Sequence, residues 1–419
     1  MSAPTLSTAT PPRRPAAAAA FPVALTVGVV LIAVNLRPAV ASVGPVLADL
    51  RDATGLSAVG ASVLTAIPIV CFGALAPVAP RLARRFGLRP ALGLLLGVLL
   101  AGLLLRLAPS LPLLFVGTAV AAGGIAAANV LVPALIKRDY AGRTGLAMGI
   151  YTTTLTLAAA VAVGASVPAE QTFGGGYRTA LGLWALPAAL ALAVWLPLAR
   201  RGGGRPAQVA PAPGSLLREP IAWHVTVYFG MQALSFYAVL AWLPTLFRDA
   251  GYSASGAGWL VSLSAFLQCP VALVVPVLAT RARDQRLLVL AAGLCAAAGL
   301  LGILLAPTAA PLLWILMLGI GQGAAFPLGL TLVVLRTEDA AITARLSAMV
   351  QSGGYLLAAL GPFLFGTLHD LTDSWSVSLI LLLVLLVPQL VSGWQAGRAR
   401  LAVPRLAGST STAPRPPTP

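Results

Sequence analysis

Twelve runs of about 20 apolar residues, parted by short breaks rich in Gly, Pro and Arg, leave this chain few folds to choose from. A helix of that length spans the hydrocarbon of a bilayer, and a backbone deprived of water must satisfy its polar groups internally. The runs fall at 22–47, 57–79, 88–107, 111–135, 144–167, 179–199, 221–247, 257–279, 287–306, 311–335, 345–368 and 375–396. They fill nearly all of the 419 residues and leave no room for a sizeable soluble domain. Only 9% of residues are charged, against about 25% in a soluble domain, and mean hydropathy is +0.92. The expectation is an all-α membrane protein of twelve transmembrane helices. Residues 1–21 and 398–419, low in apolar runs, are expected to be disordered tails, and 200–220, rich in Gly, Pro and Ala, to link halves at 22–199 and 221–397.

A net charge of +16 in a soluble chain would suggest nucleic acid as partner; here the cations lie in short loops, where membrane topology explains them. Of 27 lysines and arginines, 22 fall in the tails and the even-to-odd loops; only Arg51, Arg106, Arg178 and Arg248 lie opposite, with Arg37 left inside a run. By the positive-inside rule both termini face the cytoplasm. A single lysine among so many arginines points to a GC-rich bacterial genome, hence a bacterial inner membrane. Cys71, Cys269 and Cys295 sit within apolar runs with no CxxC spacing and read as small hydrophobes.

Arg37 lies near the centre of the first run, in Asn35-Leu36-Arg37-Pro38. It is about ten residues, or about 15 Å, from the nearer end of the run, so snorkelling to the interface is hard. A central arginine costs roughly 2.5–3.5 kcal/mol on insertion scales. Pro38 has no N–H for the carbonyl of Val34 and is expected to bend the helix. Two readings follow. Arg37 either satisfies carbonyls freed by the bend, or faces an aqueous cavity and meets an anionic or electron-rich solute; the second is preferred.

The halves resemble each other. Leu50–Ser57 reads L-R-D-A-T-G-L-S and Phe247–Ser253 reads F-R-D-A-G-Y-S; Pro80 and Arg85 map onto Pro276 and Arg281, and the stretch Gly124–Asp139 onto Gly323–Glu338. A six-plus-six parallel repeat with a long central loop is one plan of secondary transporters. Runs 3, 6 and 9 are almost purely apolar, while the polar residues Asn35, Asn129, Tyr151, Thr154, Gln232, Tyr237, Gln268, Gln322, Gln351 and Tyr355 fall on the other runs. Polar groups at membrane depth need a bundle interior or water. Runs 3, 6, 9 and 12 are therefore expected at the periphery.

The loop A-P-R-L-A-R-R-F-G-L-R-P at Ala79–Pro90 resembles the cytoplasmic loop-2/3 motif of the major facilitator superfamily, with Arg85, Gly87 and Arg89 in place and Arg84 where that family has an acid. The segments Asn35–Leu47, Asn129–Tyr140 and Gly145–Leu155 resemble the cyanate/2-nitroimidazole permease family within it. This resemblance, from about Leu31 to Gly397, implies a small, compact, often anionic or electron-rich solute.

All eleven acidic residues fall in loops or at helix ends, so a midplane carboxylate relay is not expected. His224 and His369 lie near helix ends and read as interfacial side chains. The glutamines at Gln232, Gln268, Gln322 and Gln351 are expected to face Arg37 across the pseudo-two-fold axis, although a single glutamine is more often interhelical glue. Gln351 and Tyr355 share a helix face, as do Tyr151 and Thr154. Asn129 and Pro133 also share a face, and there a hydrogen bond that repairs the proline break is the favoured reading. Absence of GxxxxGK[ST] and HExxH argues against an ATP-driven pump or an enzyme, and no cofactor or metal is expected. The expected function is alternating-access transport of a small solute by a monomer in the lipid bilayer. A multidrug or metabolite efflux carrier is the alternative, and a sensor without transport is a third.

Overall fold

The structure, a computed structural model, describes residues 23–201 and 214–403, and within them every regular element is helical. The N-terminal tail 1–21, most of the linker and the far end of the C-terminal tail lie outside the described residues. Eleven helical spans are long and apolar enough to cross a bilayer. A twelfth forms when Val59–Leu75 and Val78–Phe86, bent by 58°, are taken together.

Several crossings are broken rather than straight, and prolines place the breaks. In the first, α1 (Val23–Asn35) ends ahead of Pro38, α2 (Pro38–Ala41) restarts for one turn, and α3 (Leu47–Thr54) follows. Pro38 sits at the first helical position of α2, where its missing N–H costs nothing. In the second, α4 (Ala58–Leu75) bends into α5 (Val78–Phe86) at Pro77. Next come α6 (Leu88–Leu105), α7 (Leu111–Asp139) and α8 (Thr144–Phe173), then a sixth crossing split into α9 (Tyr177–Gly182) and α10 (Ala185–Arg201). The second half contains α11 (Pro220–Asp249), α12 (Ala254–Arg281), α13 (Arg286–Leu305), α14 (Pro311–Leu335), α15 (Ala340–Ala358), α16 (Leu360–Thr372) and α17 (Trp375–Ala396).

Where ends differ from expectation, backbone bonding continues past the first polar residue. The eleventh crossing begins at Ala340, ahead of 345, because the Asp339 carboxylate accepts from the N–H groups of Ala341 and Ile342. α6, α10, α13 and α17 pack on helices of their own half, as the apolar runs implied. α4, α7 and α8 meet α12, α14 and α15 across a seam between the halves. Gly124, Gly354 and Gly361 sit where an added Cβ would lie within 3 Å of a neighbouring helix, so close helix approach requires them small.

Two arginines hold the ends of the bundle. Arg106, at the end of the third run on the arginine-poor side, is only 2% exposed. Its Nη1 donates to the carbonyl of Ala39 at 2.8 Å and its Nη2 to that of Leu181 at 3.4 Å, tying α6 to α2 and α9. The single turn of α2 leaves such carbonyls without helical partners, so Arg106 takes the carbonyl-satisfying role weighed for Arg37. On the opposite, arginine-rich side, Arg336 donates to the carbonyls of Ala396 and Gly397 and to Gln285 Oε1. Burial pushes its pKa down to about 10. The backbone N–H of Ala402 returns to the Arg336 carbonyl at 2.7 Å. Residues 398–403, expected in a disordered tail, are thus ordered against the end of α14.

Replacing Arg106 leaves two buried carbonyls without donors, a loss of about 1–3 kcal/mol. Arg106→Met should therefore lower the melting temperature of the detergent-purified protein, whereas Arg37→Met should leave it near wild type; equal effects would contradict the separate roles.

Candidate functional site

The break after α1 brings a charge into the bundle. Arg37 is the residue ahead of α2, with φ −120° and ψ −40°, outside helical geometry. Asn35, Leu36, Pro38 and Ala39 around it are buried, while Arg37 itself keeps a minor part of its surface exposed. Its Cζ lies 5.0 Å from the centroid of the Phe326 ring of α14, across the seam. Tyr151 of α8, Tyr237 of α11 and Tyr355 of α15 are its electrostatic neighbours. Among the described residues no backbone carbonyl accepts from its guanidinium.

Aromatic rings wall this charge. Tyr355 packs against Phe72 with centroids 5.2 Å apart and edge-on against Phe229 at 5.5 Å; Phe229 lies 6.0 Å from Phe326. A guanidinium over a ring face gains about 0.5–2 kcal/mol as it is desolvated. Phe326 covers one face, and the in-plane N–H donors face the hydroxyls of Tyr237 and Tyr355. Gln322 lies one turn before Phe326 on the same face of α14, and its Nε2 is buried without a hydrogen-bond partner. Phe326 and Phe229 were not singled out from the sequence, since a phenylalanine in an apolar run reads the same facing lipid or cavity. The one available signal was the one-turn spacing from Gln322.

The structure does not bring all ten polar residues to Arg37. Asn35 is turned away: its Nδ2 donates to the carbonyls of Leu31 at 2.8 Å and Pro187 at 3.1 Å, fastening α1 to α10. Thr154 donates to Ile150 one turn back, at 2.7 Å, within its own helix. Gln268 packs on Gly323 between α12 and α14. Gln232 is buried with its Oε1 unpartnered. Gln351, expected to face the solute, instead donates to the Asn129 carbonyl at 3.1 Å and to Ser347 Oγ at 2.9 Å.

That last bond belongs to a set. Pro133 cannot donate to Asn129, its partner four residues back, and Gln351 of the other half does so. Pro276 likewise releases the Ala272 carbonyl, which accepts from Thr152 Oγ1 at 2.9 Å; Pro77 releases that of Gly73, which accepts from Ser352 Oγ. Thr153 Oγ1 donates to Cys269 at 3.3 Å, and Lys137 Nζ caps the orphan Val334 carbonyl at the end of α14 at 3.2 Å. All five bonds join the two halves on the arginine-rich side. The carbonyl that Pro133 releases is thus served from across the seam, whereas the Asn129 side chain, expected to repair the break, accepts from Tyr151 OH through Oδ1 at 3.1 Å. Gly149 allows the contact: a Cβ there would lie 2.5 Å from the Leu273 carbonyl of α12.

At the loop motif, Gly87 has φ +86°, a left-handed geometry that favours glycine, and lets α5 turn directly into α6. Arg85 lies 5.3 Å over the Phe86 ring. Arg89 pairs with Asp139 at 3.2 Å, and Asp139 also holds Arg138 at 2.7 Å. The acidic partner of this loop thus comes from the end of α7.

Residues 23–362 match the Major Facilitator Superfamily. The chain is 41% identical over 377 residues to the "Uncharacterized transporter YycB" of Bacillus subtilis, covering 90% of this chain and 94% of that one. It is 37% identical over 379 residues to the "2-nitroimidazole transporter" of Escherichia coli (90% and 96% covered) and 33% identical over 347 residues to the "Cyanate transport protein CynX" of that organism (83% and 90%). Its fold is that of the proton:xylose symporter XylE, at a TM-score of 0.73 and 13% identity, over 91% of this chain and 98% of the other.

Each seam bond should contribute about 0.5–1.5 kcal/mol. Ser352→Ala and Thr152→Val are expected to raise hydrogen–deuterium exchange at the arginine-rich ends of α5, α8 and α15 by roughly two- to tenfold. Unchanged exchange in both variants would show that the seam does not depend on these donors.

Proposed function

The chain belongs to the Major Facilitator Superfamily and is a membrane transporter, and from that premise we propose that it carries a small, flat, anionic or electron-rich solute, cyanate-like or nitroimidazole-like, across a bacterial cytoplasmic membrane by alternating access. The observation that carries this reading is the Arg37 guanidinium: largely buried but not sealed off, seated over Phe326 and, among the described residues, bound to no backbone carbonyl. A charge so placed needs a counter-charge or water. A planar acceptor in the plane of the guanidinium receives two parallel N–H bonds, and the Phe326 face limits the thickness of what fits beside it. Tyr237, Tyr355 and the Gln322 amide are further donors near that position. Asn35, Thr154 and Gln351 are left out of the proposed site, because each already spends its donors on protein acceptors.

The positive-inside rule assigns the arginine-rich side, where the seam is closed, to the cytoplasm. The conformation described is then the outward-facing one, and transport requires the five seam bonds to open while contacts on the other side form. The relatives named for 2-nitroimidazole and cyanate support a solute of this kind. A broader efflux role is the second reading, favoured by the aromatic wall of Phe72, Phe229, Phe326 and Tyr355.

Uptake of labelled cyanate and of a 2-nitroimidazole into proteoliposomes separates them. Arg37→Gln and Arg37→Lys should each reduce uptake about tenfold or more, because lysine keeps the charge but loses the planar fork. Phe326→Leu should raise KM about two- to fivefold, in line with loss of a cation–π contact. Normal uptake by both Arg37 variants would overturn the small-solute reading and favour efflux.

A further inference from the structure

The inventory of charge at membrane depth bears on how transport is coupled. All eleven acidic residues lie in loops, in the short α3 or within one turn of a helix end. None of them is an electrostatic neighbour of Arg37, whose neighbours are Tyr151, Tyr237 and Tyr355. Phenol hydroxyls and the Phe326 ring face turn partial charge toward the guanidinium but leave its net charge in place. Cations elsewhere in the bundle differ. Arg106 and Arg336 each give donors to two backbone carbonyls, and Arg89 is paired with Asp139. The candidate site thus holds one positive charge and no anion of the protein's own.

In the conformation described, Arg37 keeps part of its surface exposed, so solvent screens its charge. Alternating access passes through a state closed on both sides, in which that exposure is lost. An unpaired charge taken out of water loses more solvation than nearby dipoles return. A charge joined to an anion in good geometry recovers much of that loss. The empty carrier therefore meets a barrier at closure that the anion-loaded carrier does not. The loaded pair is also neutral and crosses the membrane field without moving charge, whereas the empty site moves with its positive charge.

We infer that the protein is an anion exchanger, passing one monovalent anion inward for one outward through Arg37, with net transport held back by the return of the empty carrier. This rests on the reading of Arg37 as the solute contact and adds the coupling to it. The counter-solute is a second anion able to occupy the same site, and its gradient drives uptake.

Proteoliposomes holding the full chain are loaded with labelled cyanate and diluted into unlabelled cyanate or into gluconate, with protein-free liposomes giving the leak. Efflux into cyanate should be about tenfold or more faster than efflux into gluconate. An inside-negative potassium diffusion potential set with valinomycin should speed efflux into gluconate, because it draws the empty, positively charged site back inward. The same potential should leave cyanate-for-cyanate exchange unchanged. In detergent, Arg37→Gln has no charge to bury. Before any anion is added, it should show hydrogen–deuterium exchange about two- to tenfold slower than wild type at the arginine-poor ends of α4 and α12. Cyanate should bring that protection to wild type and add nothing to the variant. Equal efflux into cyanate and gluconate, anion exchange that follows the potential, or an Arg37→Gln variant matching wild type in hydrogen exchange would each overturn the inference. Loss of uptake in Arg37→Gln and Arg37→Lys would in those cases leave the solute contact standing. Normal uptake in both variants would instead remove the reading on which the exchange rests.

Discussion

A carbonyl released by a proline, in an interior with little water, must find another donor. Much of the architecture follows from where those donors come from. Gly73, Asn129 and Ala272 each face a proline four residues on, and each is served by a side chain of the opposite half. A proline that would weaken an isolated helix here creates a polar socket on its surface. Bonds of this sort contribute about 0.5–1.5 kcal/mol each, so three of them hold the seam by a few kcal/mol, a scale at which two conformations can exchange. They also fix register, because each socket lies at a single position along its helix.

The two arginines of the first half show that the environment, not the residue type, decides the role of a buried charge. Arg106 has two carbonyls within hydrogen-bonding distance and is sealed from water; its charge is spent on holding α2 in place. Arg37, two residues before that anchored carbonyl, has a ring on one face and part of its surface exposed. The two are coupled: Arg106 grips Ala39, two residues beyond Arg37, so it positions the turn on which the candidate solute contact is mounted.

The sequence exposed what depends on composition and period: the number of crossings, the break at Pro38, the internal repeat and the outer position of the purely apolar helices. It also carried the polar residues of the candidate site onto the right helices. It did not show which way each helix is rotated, nor which polar group is already paired. Asn35 and Gln351 look the same in sequence as Gln322, yet the first two already donate to protein acceptors and the Gln322 Nε2 is buried without a partner. Phe326 was invisible because apolar runs hide the difference between a lipid-facing ring and a cavity-facing one. The order of residues 398–403 was missed for another reason: it depends on one long-range bond, from Ala402 to Arg336, that no local pattern encodes.

The seam and the site use the internal repeat in opposite ways. On the seam a similar device occurs twice, with α15 donating into α4 beside Pro77 and α8 donating into α12 beside Pro276, as two related halves facing each other would produce. At the site the repeat is broken: the guanidinium comes from the first half alone, the ring and the free amide from the second. A pair of similar contacts is suited to a rocking motion, since both can loosen together without one half gaining on the other. A site with charge on one wall and an aromatic face on the other is suited to holding a flat solute in one orientation. Because Arg37 and Phe326 stand on opposite sides of the same seam, any motion that parts the halves also parts the two walls of the site.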